Sequence, residues 1–355
     1  MSFPKISRPH THCAVLMALT TLACGEGFDP PEEIKTLRVL GVQKTPTSYP
    51  RPGETVHFNL LWHDPAGRDA KVYWVAQDVD GQQRVSCTNP PGDLFQACLP
   101  GFLTATPVES AEIDLTIDPE VLNSRPEPKE GQPHYGLSYV FFVVCAGDRV
   151  EPDTTQLKEG GSIPLKCMAG DTQIGPEGFV VGYTALYTFK GFKGFEDGVS
   201  NRNPELTGFE VGNEPLSACS DADCISGAPA PEIDCSNPAE NPACFPACAD
   251  DGDASCPEIP LRPVVTVTPD LFEKDAVSKE YYMRDVEEQQ WINYYVDRGS
   301  LRSGVRLLND AQKGLNEDFG TDFFAPKEPG PVTIWAVAHD NRGGTSWTRT
   351  HVQIF

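Results

Sequence analysis

The apolar and polar positions of this chain alternate more often than they recur every three or four residues. Thr55–Trp62 puts Val56, Phe58, Leu60 and Trp62 on one face. Ala111–Ile117 does the same with Ala111, Ile113, Leu115 and Ile117, and sends Glu112, Asp114 and Thr116 to the other. A period of two with one apolar face predicts half-buried antiparallel strands. Ser138–Cys145 (SYVFFVVC) is apolar on both faces, so it is expected in the middle of a sheet. Val181–Phe189 (VGYTALYTF) is expected to be a second such central strand. Gly, Pro, Asn and Asp clusters separate these runs, as in an all-β domain. With 33 prolines and 31 glycines, long helices have little room. The best helix candidate is the charged segment Lys279–Gln290.

A weak internal repeat sets the organisation. Tyr139–Arg149 (YVFFVVCAGDR) and Val332–Arg342 (VTIWAVAHDNR) share a long apolar strand followed by Ala, Asp and Arg. Each reads as a late core strand of a sandwich. Leu37–Val42 and Leu206–Val211 correspond more loosely as first strands, and Trp347–Phe355 reads as the last. The expected boundary falls near Ser200–Leu206, giving domains 34–200 and 201–355.

The first residues change the picture. Lys5 and Arg8 precede an apolar run of ten, Ala14–Ala23. That is short of the ~20 residues a membrane helix needs, and it reads as an export signal over residues 1–23. Thr21-Leu22-Ala23-Cys24-Gly25 resembles the lipobox of bacterial lipoproteins, which implies acylation of Cys24 and a lipid-anchored tether over residues 24–33. Loss of residues 1–23 leaves 26 basic against 51 acidic side chains, a net charge of −25. Such a surface repels nucleic acid.

Export decides how the cysteines are read. Cys87, Cys98, Cys145, Cys167, Cys219, Cys224, Cys235, Cys244, Cys248 and Cys256 make an even set, expected as disulfides in an oxidising compartment. Cys87–Cys98 and Cys145–Cys167 are expected locally, with the other six paired among themselves in an insert, residues 219–256. That insert has few apolar residues, so it is expected to be held covalently. It carries acidic clusters at Asp221, Asp223, Asp250, Asp251 and Asp253. Calcium is the ion such oxygen-rich loops would take, although the EF-hand spacing is absent. No other cofactor is expected.

G-x-S-x-G, H-E-x-x-H, P-loop and G-x-G-x-x-G motifs are all missing, so no catalytic residues are assigned and no enzyme is expected. The neighbours His339 and Asp340, close to Thr345 and Ser346, suggest a triad only superficially, since adjacent strand residues face opposite ways. Trp291, Tyr294 and Tyr295, with Tyr281 and Tyr282, are expected to be core rather than a binding patch. Arg298–Thr321 reads as a long polar loop suited to binding variability.

Several short motifs in order resemble an uncharacterised group of lipoproteins from myxobacteria and their relatives. They are Pro52-Gly53-Glu54, the block Val181–Thr184 with Asn201–Pro204, and Trp335, Val337, Asp340, Arg342, Gly343, Gly344 and Trp347. The resemblance covers most of residues 30–355. It implies tandem immunoglobulin-like β-sandwiches on a lipid anchor and no known activity. The expected role is a binding or scaffold module of the cell envelope. It would be held to the membrane, the outer one in this reading, through its N-terminal lipid and would meet a protein or glycan partner. Two other readings stay open: a calcium-dependent adhesion or carbohydrate-binding module, and a hydrolase without a recognisable motif.

Overall fold

The structure is a computed structural model. It describes residues 30–79, 82–84, 86–104, 106–130, 132–153, 155, 163–191, 201–212, 214–216, 226–227, 230–249, 256–266, 272–274, 279 and 283–355. Its strands are β1 (Arg38–Thr45), β2 (Thr55–His63), β3 (Lys71–Val79), β4 (Gln82–Arg84), β5 (Ser86–Thr88), β6 (Thr106–Glu109), β7 (Glu112–Thr116), β8 (Tyr135–Cys145), β9 (Arg149–Pro152), β10 (Leu165–Ala169), β11 (Thr172–Gln173) and β12 (Phe179–Phe189). They continue with β13 (Leu206–Val211), β14 (Glu214–Leu216), β15 (Cys244–Phe245), β16 (Ile259–Val265), β17 (Gln290–Val296), β18 (Ser300–Leu301), β19 (Val305–Asp310), β20 (Gly314–Leu315), β21 (Thr321–Phe324), β22 (Gly330–Asp340) and β23 (Thr345–Ile354). The fold is all-β. Among the described residues no helix is long and apolar enough to cross a membrane.

Two pairs of facing sheets account for most of the core. Sheet β1-β2-β7 faces the sheet ordered β12-β8-β3-β4. The alternation of β2 turns Val56, Phe58 and Leu60 inward onto Trp74 of β3, Phe142 and Val144 of β8 and Leu186 of β12. Burying each such side chain contributes roughly 1.5–3 kcal/mol. Farther along the chain, sheet β14-β13-β16-β21-β18 faces sheet β15-β23-β22-β17-β19-β20. Phe209, Leu261, Ile292, Tyr294, Phe323, Ile334 and Val352 fill the space between them. The two halves of the sequence repeat occupy equivalent places: β8 lies between β12 and β3, and β22 between β23 and β17.

As its two-faced apolar pattern predicts, β8 is buried on both sides. Its second face is covered by a 3₁₀ segment, Phe95–Leu103, and by the β9–β10 hairpin, with Phe102, Phe141 and Leu165 in contact. Cys87–Cys98 and Cys145–Cys167 are disulfides and staple these two covers to the sheet. Cys235–Cys244 and Cys248–Cys256 are also bonded, while Cys219 and Cys224 lie outside the described residues. Four disulfides mark an oxidising, extracytoplasmic environment.

Three expectations are corrected. Val181–Phe189 is not central: β12 pairs along all eleven residues with β8 and forms the end of its sheet. Its even-numbered positions face the core between the sheets, while its odd-numbered ones lie on the other face, where Phe179, Val181 and Ala185 pack against the cluster around Phe141 and Tyr183 and Tyr187 are exposed. Lys279–Gln290, the best helix candidate, is not helical from Met283 onward. Glu287 bridges to Lys274 and Gln290 already opens β17, because Gln290, Ile292 and Tyr294 alternate into the core. Arg298–Thr321 is not a loop: it carries β18, paired with β21 in one sheet, and the β19–β20 hairpin in the facing sheet, with Leu301, Leu308 and Phe319 in the core.

The insert is also more integrated than its composition suggests. β15 runs parallel to the end of β23, and Cys248 and Cys256 are buried in the second core with Phe245 packed beside them. The backbone N–H of Ala247 donates to the carbonyl of Phe355 at 2.9 Å, and that of Cys248 to Pro326 at 3.2 Å.

A small apolar cluster joins the pairs of sheets. Leu40 and Leu61 on the outer face of β1-β2 meet Trp335 and Val337 of β22, with Tyr295, Trp347 and Ile34 around them. Gly41 permits the close approach, since a Cβ there would lie 3.2–3.4 Å from Thr345, Val337 and Trp347. The chain is already docked at Glu32, whose carbonyl accepts the N–H of Val296 at 3.0 Å.

Candidate functional site: a tryptophan-walled cleft at the sheet junction

The strand β2 is longer than its partner β7. Pairing with β7 covers Thr55–Asn59 only, while β1 continues to His63 on the other side. The free edge over Leu60–His63 therefore exposes backbone groups that need partners. Ser226 and Gly227, from the cysteine-rich insert, supply them. The Ser226 hydroxyl donates to the Leu60 carbonyl at 2.9 Å and accepts the Trp62 N–H at 3.3 Å. The Gly227 N–H donates to the Trp62 carbonyl at 3.2 Å. Only glycine fits at 227: φ is +77°, and a Cβ would collide with the Trp62 indole.

Where β7 has ended and the insert has not filled the gap, a cleft of about 670 Å³ remains. Trp62 and Trp347 wall it, with Leu60 and Val72 behind them. Asn59, Lys71, Glu109, Glu112 and Ser226 supply polar groups around the apolar floor. At the rim the Lys71 ammonium pairs with Glu109 at 3.2 Å, and this neighbour holds the Lys71 pKa above its usual value. Glu112 lies 3.3 Å from His57, whose other ring nitrogen lies 2.8 Å from Asp114. Volume, aromatic walls and a few polar groups are the attributes of a small-ligand site, and junctions between packed units are where such sites form. The indole faces can stack on a flat or ring-shaped ligand, and the amide, ammonium and carboxylates can fix its orientation.

Trp347 is held in this wall by a buried polar network built from the sequence motifs singled out above. Asp340 caps the β22–β23 turn: Oδ1 accepts the N–H groups of Arg342 at 2.7 Å and Gly344 at 2.8 Å. Its Oδ2 accepts the Asn201 amide at 3.0 Å, and the same amide donates to the Ser48 hydroxyl at 2.7 Å. Asn203 bridges next: its amide donates to the Lys44 carbonyl at 2.9 Å while its oxygen accepts the Thr345 N–H at 3.0 Å. Thr345 stands two residues before Trp347, so this contact fixes the start of β23. The Arg342 guanidinium reaches Glu273 at 2.6 Å and Glu288 at 2.8 Å. Burial pushes the Glu288 carboxyl upward while Arg342 pulls it down. Lys44 is 4% exposed; burial lowers its ammonium to about 8, with Asp340 acting in the other direction.

The other candidate residues separate into three groups. Cys24 and all five acidic candidates for calcium, Asp221, Asp223, Asp250, Asp251 and Asp253, lie outside the described residues, as do Tyr281 and Tyr282. Tyr294 and Tyr295 are packing residues: Tyr294 is fully buried and donates to the Phe319 carbonyl, and Tyr295 packs at the junction. Trp291 stacks on His339 with ring centroids 5.5 Å apart. His339 contacts the Thr345 hydroxyl at 3.3 Å, while Asp340 is committed to its turn and Asn201. The cleft itself was not singled out from the sequence.

Compared with known proteins, the chain matches no protein-family model and no curated protein sequence.

Proposed function

We propose that this chain is an exported, lipid-anchored binding or scaffold module of the cell envelope, in the outer membrane, with tandem immunoglobulin-like domains and no catalysis of its own. The single observation that carries the binding role is the cleft between Trp62 and Trp347. It is concave, walled by two indoles, and lined by an amide, an ammonium and two carboxylates. The disulfides support export, and the lipobox-like Thr21–Gly25 supports an anchor at Cys24.

Photocrosslinking tests the cleft. A photoreactive phenylalanine analogue in place of Glu112 should crosslink a component of envelope fractions, and Trp62→Ala should abolish the product. The same analogue in place of Val305, exposed on β19, serves as the control. Equal products from both positions, or a product that survives Trp62→Ala, would remove the cleft as the binding site. Cys24→Ala tests the anchor: the protein should move from the membrane to the soluble fraction, and unchanged membrane association would place the anchor elsewhere.

A further inference from the structure

The outer face of β12 carries a second surface, independent of the cleft. On this face stand Phe179, Val181, Tyr183, Ala185, Tyr187 and Phe189, none of them an acid or a base; Phe179, Val181 and Ala185 pack against the cluster around Phe141, which leaves Tyr183 and Tyr187 exposed. Tyr183 is 45% exposed and Tyr187 36%. They stand four residues apart on one strand, roughly 13 Å at ~3.3 Å per residue. Neither ring is loose. Phe95 stacks on Tyr183 with centroids 4.6 Å apart and planes at 24°. Phe189 stacks on Tyr187 at 6.2 Å and 18°, and Tyr135 packs on Tyr187 at 5.6 Å. Tyr49 closes the far end against Phe189 at 5.0 Å. The charges beside this strip cancel: Arg125 pairs with Asp93 at 2.7 Å, and the Tyr135 hydroxyl donates to the same carboxylate at 2.6 Å.

We infer that this strip is a docking track for a linear, uncharged polysaccharide, which lies along β12 with its sugar rings stacked on Tyr183 and Tyr187. Area argues against a protein partner. An aromatic side chain offers about 150–250 Å² in full. The exposed parts of Tyr183 and Tyr187, with Leu94 at 58%, therefore come to roughly 250 Å². A stable protein interface needs ~800 Å² from each partner. Charge argues against an acidic polymer or an anionic membrane, because the chain carries −23 overall and the outward positions of β12 offer no base. A neutral chain of pyranose rings needs neither a large area nor a counter-charge. Its C–H faces stack on the aromatic rings, its hydroxyls reach the tyrosine O–H groups, and the two exposed rings suit a ligand that repeats along one line.

The test is depletion of the purified protein from solution by insoluble cellulose, chitin and starch, with binding to soluble alginate as the acidic comparison. At least one neutral polymer should deplete it. Tyr183→Ala and Tyr187→Ala should each weaken that binding about tenfold, the scale of one lost stacking contact. Tyr183→Phe keeps the ring and should bind within about threefold of the unaltered protein. Trp62→Ala, in the cleft, should leave the depletion unchanged, so the strip and the cleft are tested separately. Near-ultraviolet circular dichroism establishes that each variant is folded. The inference fails if none of the neutral polymers depletes the protein, if both alanine variants bind as before, or if alginate is the only polymer bound.

Discussion

The Asn201 side-chain amide donates to Asp340 Oδ2 at 3.0 Å across 139 residues of chain. Both side chains are buried. The bond ties the segment entering β13 to the turn leaving β22. Removing Asp340 strands two backbone N–H groups and the Asn201 amide. An unsatisfied buried polar group costs about 1–3 kcal/mol. Asp340→Ala is expected to lower the free energy of unfolding by about 3–5 kcal/mol, and Asn201→Ala by about 1–3 kcal/mol. Because they share a network, the double variant should cost less than the sum by at least ~0.5 kcal/mol. Urea titration of the four proteins measures this, and strict additivity would show that the two side chains act separately.

Stability should rise with pH between about 4 and 6.5. Burial lowers the pKa of His63 to about 4; Asp64 pulls it up, and Arg349 and His351 push it down. Burial likewise lowers His339 to about 4, opposed by Asp340. Both imidazoles take up protons in the unfolded chain near pH 6.5 but stay neutral in the folded one. The unfolded state therefore binds more protons in that window, and acid favours it. Each histidine contributes up to about 3 kcal/mol, less for the half-buried His339. Asp297 acts in the opposite sense: burial raises its carboxyl to about 6, so the folded chain holds its proton longer. Glu288, whose carboxyl burial also raises, acts with Asp297, and the two large histidine shifts still leave a positive slope. Urea midpoints from pH 4 to 7 should rise, and His63→Leu should remove most of the increase.

Lys44 gives the opposite prediction from the one a buried ion pair would suggest. With its ammonium lowered to about 8, the unfolded chain binds more protons between pH 8 and 10.5. Stability should therefore increase across that window as the buried amine becomes neutral. Lys44→Met should abolish the increase and stabilise the protein at pH 7 by about 1–3 kcal/mol, since a packed apolar side chain replaces a desolvated charge. Destabilisation of similar size at pH 7 would show that the attraction of Asp340 outweighs the cost of burial.

Cys145–Cys167 closes a loop with a sequence separation of 22 and holds β9–β10 over β8. Replacing both cysteines by alanine is expected to cost about 3 kcal/mol, mainly by freeing the unfolded chain. Peptide mapping under non-reducing conditions should recover the four observed pairs. Free thiols at Cys145 and Cys167 would disprove the staple over β8.

The strand periodicity was legible because it is local. Val56, Phe58 and Leu60 had to share a face, and SYVFFVVC had to be covered on both sides, whatever lay opposite. The disulfide reading of the even set of cysteines followed from the export signal, and four pairs of them are bonded among the described residues. Alternation says which residues share a face but not what covers that face. Val181–Phe189 therefore reads like a buried central strand, yet Tyr183 and Tyr187 are exposed because the 3₁₀ segment and the β9–β10 hairpin that cover this face over β8 cover β12 only in part. The cleft depends on where β7 stops relative to β2 and on Ser226 arriving from a distant insert, neither of which any local window contains. The Asn201-Arg202-Asn203-Pro204 and Asp340–Gly344 motifs were visible as letters, but their role required Lys44, Ser48, Asn201 and Asp340 to meet. Sequence patterning sets the faces of strands through short-range sterics and burial. Which faces meet, and what is left open between them, is decided by contacts between residues more than a hundred positions apart, and those exist only once the chain has folded.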